Sequence, residues 1–463
     1  MSDAQTTRQL IERFDRPGPR YTSYPTAVEF SADFTAADYR DRLAAADAQA
    51  SEPLSFYAHL PFCEERCLYC GCNVVITKHR GVAAHYLEDV IGEVELLAKH
   101  LPHRRRVSQL HLGGGTPTYY GAADLERFFR TITKHFELTP DAEVGIEVDP
   151  RVTTDEHIVR LRELGFNRLS MGVQDFAPEV QQAVHRVQGH DMTRDMIERA
   201  RQVGWQSVNI DLIYGLPYQT IEGFRRTLDQ VVAIRPDRVA VYGFAYVHWM
   251  KPHMKHLPAE SLPDAELRLQ LISMAVDIFT AAGYRAIGMD HFALPGDELS
   301  RAIEARTLSR NFMGYTVQSA RDMVAVGISA IGDVQGAFVQ NVKKLPDYHD
   351  AIAAGRFPVE RGFRLDADDV LRRHVINQLM CNGHLDVRDV ERRFGIVFAS
   401  YFADELARLC GEDSPVSHGL VSVGRDEIVL TPLGRLFVRV VAMHFDRYLD
   451  SRSGAKPVFS RTV

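Results

Sequence analysis

Four of the six cysteines fall within ten residues, in His59-Leu-Pro-Phe-Cys63-Glu-Glu-Arg-Cys67-Leu-Tyr-Cys70-Gly-Cys72. The N-terminal stretch Met1–Arg20 is polar and charged, without the apolar core of a secretory leader. Cysteines clustered this densely in such a chain point to metal or redox chemistry in a reducing, cytoplasmic compartment, and not to a disulfide scaffold. The first three are spaced C-x3-C-x2-C. A loop of that length can fold three thiolates around three corners of one [4Fe–4S] cluster, leaving the fourth iron open to a ligand. Two other readings compete. A structural zinc knuckle would use all four cysteines or a histidine, but zinc sites usually pair two separated C-x2-C clips. The thiols could also be inert.

The loop follows an apolar run at Phe56–Leu60. Five more runs follow, near Gln109–Leu112, Val144–Val148, Arg168–Val173, Val208–Ile213 and Arg238–Tyr242. Between them lie helical patterns at Tyr86–His100, Asp124–His135, Glu156–Leu164 and Ile221–Ile234. About six βα units predict parallel strands with right-handed crossovers. Cys63, Gly113–Gly115, Glu147, Gln174, Asp211 and Ala245 sit in or just after successive runs. That placement favours a full or three-quarter βα barrel over an open sheet.

The chain of 463 residues divides on paper into an arm (1–50), a barrel core (51–295), a barrel extension and linker (296–360) and a mostly helical domain (361–463). The arm contains Arg16-Pro-Gly-Pro-Arg-Tyr-Thr-Ser-Tyr-Pro25, which suits turns and extended chain. In the last domain, Asp366–Met380, Val387–Phe394, Ser400–Leu409 and Thr431–Leu449 read as helices, and Val421–Leu430 as a hairpin turning at Gly424. A net charge of −7 supplies no field for nucleic acid or anionic membrane. No apolar stretch approaches the roughly 20 residues of a membrane span. The basic run His103–Arg106 reads as a solvated loop face.

Gly113-Gly-Gly-Thr-Pro117 lets backbone approach a ligand without Cβ clashes. Alternation puts Glu147 and Asp149 on one strand face and Val144, Ile146 and Val148 on the other. A carboxylate facing into a barrel needs a partner, and ribose hydroxyls are suitable ones. Asp211 shares a face with Asn209 in the same way.

The cysteine spacing, with Tyr69 before the last cysteine, resembles the radical S-adenosylmethionine superfamily, and Gly113–Pro117 resembles its glycine-rich element. Longer segments narrow the likeness. They are Gly18–Thr26, Cys70-Gly-Cys72-Asn, Glu147–Arg151, Phe166–Phe176, Asn209–Pro217, Gly288–Ala293, Arg310–Tyr315, Gly327–Ile331 and Phe459-Ser-Arg461. Together they resemble the oxygen-independent coproporphyrinogen III oxidase family over essentially the whole chain.

That resemblance implies a three-quarter barrel with a helical C-terminal domain. It implies that Cys63, Cys67 and Cys70 hold the cluster and that S-adenosylmethionine chelates the open iron. An electron from the cluster then releases a 5′-deoxyadenosyl radical. Two S-adenosylmethionine molecules are implied. The first matches Tyr57, Gly114, Glu147 and Ile331. The second matches Tyr69, Gly115, Thr116, Gln174, Arg186, Asp211 and Ala245. Cys72 and Tyr57 are the catalytic candidates. The substrate is coproporphyrinogen III, two of whose propionates become vinyls in haem biosynthesis. A low-potential donor such as flavodoxin or ferredoxin and a monomeric state are also implied. Arg20 and Arg310 are candidates to meet substrate carboxylates. Met313 departs from the family pattern, which has glutamine there. A haem-binding chaperone relative and a radical methyltransferase of haem breakdown are the rival readings. The presence of Cys72 and of the Arg20–Pro25 segment argues against the chaperone.

Overall fold

The computed structural model describes residues 3–318, 320–449 and 459–462. Its spine is a twelve-stranded sheet. Seven strands run parallel: β1 (Leu54–Leu60), β2 (Arg106–Gly114), β3 (Glu137–Val148), β4 (Arg168–Gln174), β5 (Ser207–Tyr214), β6 (Arg238–Gly243) and β7 (Asp322–Val326). Their order is β7-β1-β2-β3-β4-β5-β6, flanked by short antiparallel strands on both edges. All six expected strands form. The seventh comes from far along the chain, and its pairing with β1 is invisible to local periodicity.

Parallel strands are covered on both faces. In β1 every residue but Tyr57 is buried. Helices α1 (Arg80–His100), α2 (Ala122–His135), α3 (Asp155–Glu163), α4 (His190–Gln202) and α5 (Ile221–Ile234) supply the outer layer. Their starts are capped where the sequence provides a hydroxyl. Thr154 and His157 form a reciprocal capping box, and the Thr220 hydroxyl accepts from the N–H of Gly223.

The basic run His103–Arg106 is not wholly solvated, which corrects the expectation. Arg104 is fully buried, 2.5 Å from Asp322 at the start of β7, and also donates to the carbonyls of Ala46, Glu52 and Pro53. A buried guanidinium needs this many acceptors. The arrangement ties together the starts of β1, β2 and β7.

A second apolar core lies between residues 371 and 445, and Tyr21 and Tyr24 join it. The Tyr21 hydroxyl donates to Asp446 at 2.9 Å, and Arg439 donates to the carbonyls of Gly18 and Pro19. The N-terminal segment also carries helices, Asp3–Phe14 and Ala36–Asp47. In the C-terminal region Ala367–Asn382 and Val387–Phe394 are helical. The stretch Ser400–Leu409 breaks at Phe402, which is fully buried against Phe398 and Phe445. The stretch Thr431–Leu449 breaks at Phe437, and its second helix ends at Met443. Strand His384–Asp386 joins the expected hairpin as a third strand. Among the described residues no helix is long and apolar enough to cross a membrane.

Candidate active site at the mouth of the barrel

The C-terminal ends of the parallel strands surround a cavity of about 520 Å³. Strand register builds its wall in rows. Glu147 lies beside Ser170, and Asp211 beside Gly172. Cys63, Cys67, Cys70, Cys72, Tyr69, Gly114, Gly115, Thr116, Glu147, Gln174, Arg186 and Asp211 all line it. A smaller space of about 130 Å³ continues inward and shares Glu147, Ser170, Asp211 and Tyr242 with the first. Met313 lines the inner space.

The cysteine loop is held from several sides. The N–H of Cys70 donates to the carbonyl of Cys67, His253 Nε2 lies 2.9 Å from the carbonyl of Cys70, and Lys251 donates to that of Cys72. Cys63 Sγ lies 3.3 Å from Thr116 Oγ1. Arg151 and Arg186 each place a guanidinium nitrogen 3.7 Å from Cys67 Sγ. Burial pushes the Cys63 thiol up to about 12, whereas a hydrogen bond from Cys72 lowers Cys70. All four clustered cysteines face this one cavity. All six cysteines are free of disulfides.

The glycine loop needs its glycines. Gly114 has φ +116°, and a Cβ there would meet the His59 ring at 2.7 Å. A Cβ on Gly115 would lie 2.5 Å from the Pro61 carbonyl carbon. Opposite this loop, Glu147 accepts the N–H of Gly114 at 3.1 Å and sits 3.5 Å from His111 Nε2. Burial pushes the Glu147 carboxyl up, but His111 and the Gly114 N–H outweigh it and hold it below the usual range. It is therefore an ionised acceptor.

On the far wall, Asp149 is bound by Arg151 at 2.6 Å and Arg186 at 3.0 Å. Arg186 also donates to the carbonyl of Gly172, yet its Nε is buried without a partner. Gln174 holds φ +71°, unusual for a residue with a side chain, where β4 bulges against β5. Asp211 accepts from Asn209 at 2.7 Å and from Ser170 at 3.3 Å, and burial raises it to about 6.

Three expected residues lie off this wall. Tyr57 stacks on His111 at 6.3 Å and donates to His59 Nδ1, while His59 Nε2 donates to the carbonyl of Asn73. Burial keeps His59 neutral, which fits that chain of donors. Ala245 follows β6, and Ile331 opens the strand Ile331–Val334. Arg310 is packed over the Tyr315 ring at 4.9 Å, and Arg20 donates to the carbonyl of Gly243. Sequence reasoning passed over His111, Arg151 and Tyr242. Arg151 lies inside the quoted Glu147–Arg151 segment. The other two needed the strand register.

Residues 57–231 match the Radical SAM superfamily, and residues 365–437 match the HemN C-terminal domain. A protein of Pseudomonas aeruginosa named oxygen-independent coproporphyrinogen III oxidase is 43% identical over 459 residues, 98% of each chain. One of the same name from Escherichia coli is 41% identical over 455 residues, 98% of each. A solved structure described as coproporphyrinogen III oxidase (HemN) from Escherichia coli, a radical SAM enzyme, superposes with a TM-score of 0.88 at 41% identity. It covers 93% of this chain and 97% of that one.

Proposed function

The chain belongs to the oxygen-independent coproporphyrinogen III oxidases of the radical S-adenosylmethionine superfamily, and on that premise we propose how its residues divide the work. It is an oxidoreductase that oxidatively decarboxylates two propionates of coproporphyrinogen III to vinyls in porphyrin biosynthesis. The observation that carries the residue assignment is the convergence of the cysteine loop, glycine loop, Glu147, Gln174, Arg186 and Asp211 on one cavity.

In this reading Cys63, Cys67 and Cys70 hold a single [4Fe–4S] cluster, and Cys72 stays unligated on the cavity wall. The bound cluster and S-adenosylmethionine supply the one-electron chemistry, and the protein supplies placement and exclusion. Glu147, ionised and already fixed by Gly114 and His111, offers its lone pairs to ribose hydroxyls, with Tyr57 packed behind His111. Ile331 borders the same ligand. The second S-adenosylmethionine is assigned to Tyr69, Gly115, Thr116, Gln174, Arg186, Asp211 and Ala245. The unpartnered Nε of Arg186 and the unpartnered Oδ1 of Asn209 beside Asp211 support a polar ligand there. Cys72 serves a proton at the substrate side of the wall. Electrons come from flavodoxin or ferredoxin, and the protein works as a cytoplasmic monomer.

Anaerobic incubation of the reconstituted enzyme with coproporphyrinogen III, S-adenosylmethionine and a reductant tests the activity, with CO2 and vinyl product as readouts. Two S-adenosylmethionine equivalents bound per chain are expected at equilibrium. One equivalent, unchanged by Asp211→Asn, would overturn the second assignment.

A further inference from the structure

Far from the cysteine loop in sequence, three side chains meet on the outer layer. His85 and Asp89 stand one turn apart on α1. His349 comes from the helix Leu345–Ala353, which packs across α1. Their ligand atoms all lie within 4.8 Å of one another. His349 Nδ1 is 3.2 Å from His85 Nε2 and 2.8 Å from Asp89 Oδ1.

Without a cation, one shared hydrogen holds the trio: His349 Nδ1–H donates to Asp89 Oδ1 and also faces the His85 Nε2 lone pair. A ring nitrogen has one in-plane position, which holds either a hydrogen or a lone pair. If His349 Nδ1 donates to Asp89, it shares that hydrogen only weakly with His85. If it accepts from His85, it faces the Asp89 carboxylate lone pair to lone pair. A cation between the three atoms satisfies all of them at once. Metal–ligand bonds of about 2.0–2.2 Å at tetrahedral or octahedral angles set neighbouring ligand atoms about 2.9–3.5 Å apart. The 3.2 Å separation falls inside that window and the 2.8 Å one just below it. Burial also differs usefully across the trio. Asp89 is buried, His349 is partly open and His85 is exposed, so one side stays free for water and for entry.

We propose that His85, Asp89 and His349 form a site for a borderline d-block dication, with zinc as its representative, separate from the iron–sulfur centre. Two imidazoles and one carboxylate favour such an ion over calcium or magnesium, which prefer all-oxygen shells. The site is empty in this structure. Its consequence is mechanical. The same two helices already meet through Tyr86 and Tyr348, whose rings lie 5.4 Å apart. Glu93 on α1 accepts from the Tyr348 hydroxyl, from the N–H of Gly327 at 2.7 Å and from Asn341 at 2.8 Å. A metal bridge therefore clamps the two helices that hold the loop leading to Ile331.

The test uses the full chain, reconstituted anaerobically with its cluster. It is equilibrated with zinc chloride, desalted through a weak chelator, and counted for zinc and iron. One zinc per chain is expected, with iron unchanged and a higher thermal midpoint. His85→Ala and His349→Ala should each weaken zinc binding about 10-fold or more in a chelator competition. Both should keep iron content and vinyl formation. Asp89→Asn, close to isosteric, repeats the measurement without opening a cavity, and circular dichroism confirms that each variant is folded. Zinc retained equally by all three variants, zinc gained only as iron is lost, or no zinc retained by the parent chain would each overturn the proposal.

Discussion

Two ionic networks of similar make-up sit in different halves of the molecule. In the second core, Arg372 binds Asp368 and Glu405 and donates to the carbonyl of Phe445. Arg447 joins the same group through Asp366, Asp368 and Asp369. This network is closed, because each guanidinium finds carboxylates from its own neighbourhood. At the barrel mouth, Arg151 and Arg186 share Asp149 and also reach towards Cys67, and Arg186 keeps one nitrogen unmet. Asn209, Glu143 and Arg168 in the barrel also have unmet buried atoms. The unmet polar atoms clustered at the barrel mouth mark where a ligand completes the structure.

The comparison breaks most sharply at the cysteines. Serine at Cys63, Cys67 or Cys70 is expected to abolish cluster absorbance and all vinyl formation. Serine at Cys72 should keep the iron and impair the product. Iron counting on the four variants checks this, and iron lost only from the Cys72 variant would refute the ligand assignment. Next come the two networks. Arg186→Met leaves Asp149 with Arg151 alone and should cost about 3 kcal/mol in stability. It should also lower activity about 100-fold in the fraction that remains folded. Arg372→Met should cost a similar amount in denaturant melts yet leave the specific activity of folded protein unchanged. Equal activity losses in both would erase the distinction between open and closed networks.

Asp211 sharpens the same contrast through pH. Its folded-state value of about 6 lies above the ordinary 3.8, so the folded chain holds the proton longer. Its contribution to stability is therefore present below about pH 4 and declines as pH rises through about 6, on the order of 3 kcal/mol in all. In thermal melts from pH 4.5 to 7, Asp211→Asn should flatten that decline. A slope identical to the parent would show that the carboxyl does not titrate there. The smallest effect belongs to the surface. Arg388 and Asp426 form an exposed pair at 2.7 Å, and Arg388→Ala should change stability by less than about 1 kcal/mol with no change in activity.

Much of the barrel was legible because its signals are local. Apolar runs, caps and glycine positions act within a few residues, so β1 to β6 and the glycine loop could be read directly. Glu147 and Asp211 were legible for the same reason, since strand alternation fixes their face. The rest depends on partners distant in sequence. Met323–Val326 is apolar, but nothing near it announces that it completes the parallel set, because its partners are β1 and Arg104. Gln174 shows no sequence trace of its positive φ. Phe402 and Phe437 interrupt helices through burial in the second core, which propensity alone does not register. Tyr21 and Tyr24 read as turn residues, yet they belong to a core formed by the opposite end of the chain.

The pairing of Leu54 with Asp322 has a consequence for how the protein is made. Chains emerge from the ribosome N-terminus first and begin folding as they emerge. One side of β1 finds β2 early, but its other side waits until β7 has been synthesised. During that interval a strand with six of its seven residues destined for burial is an open edge. Such long-range closure slows folding and exposes a surface on which nascent chains can stick together. Truncations ending before residue 322 should therefore aggregate, whereas those ending after strand Val359–Arg364 should remain dispersed.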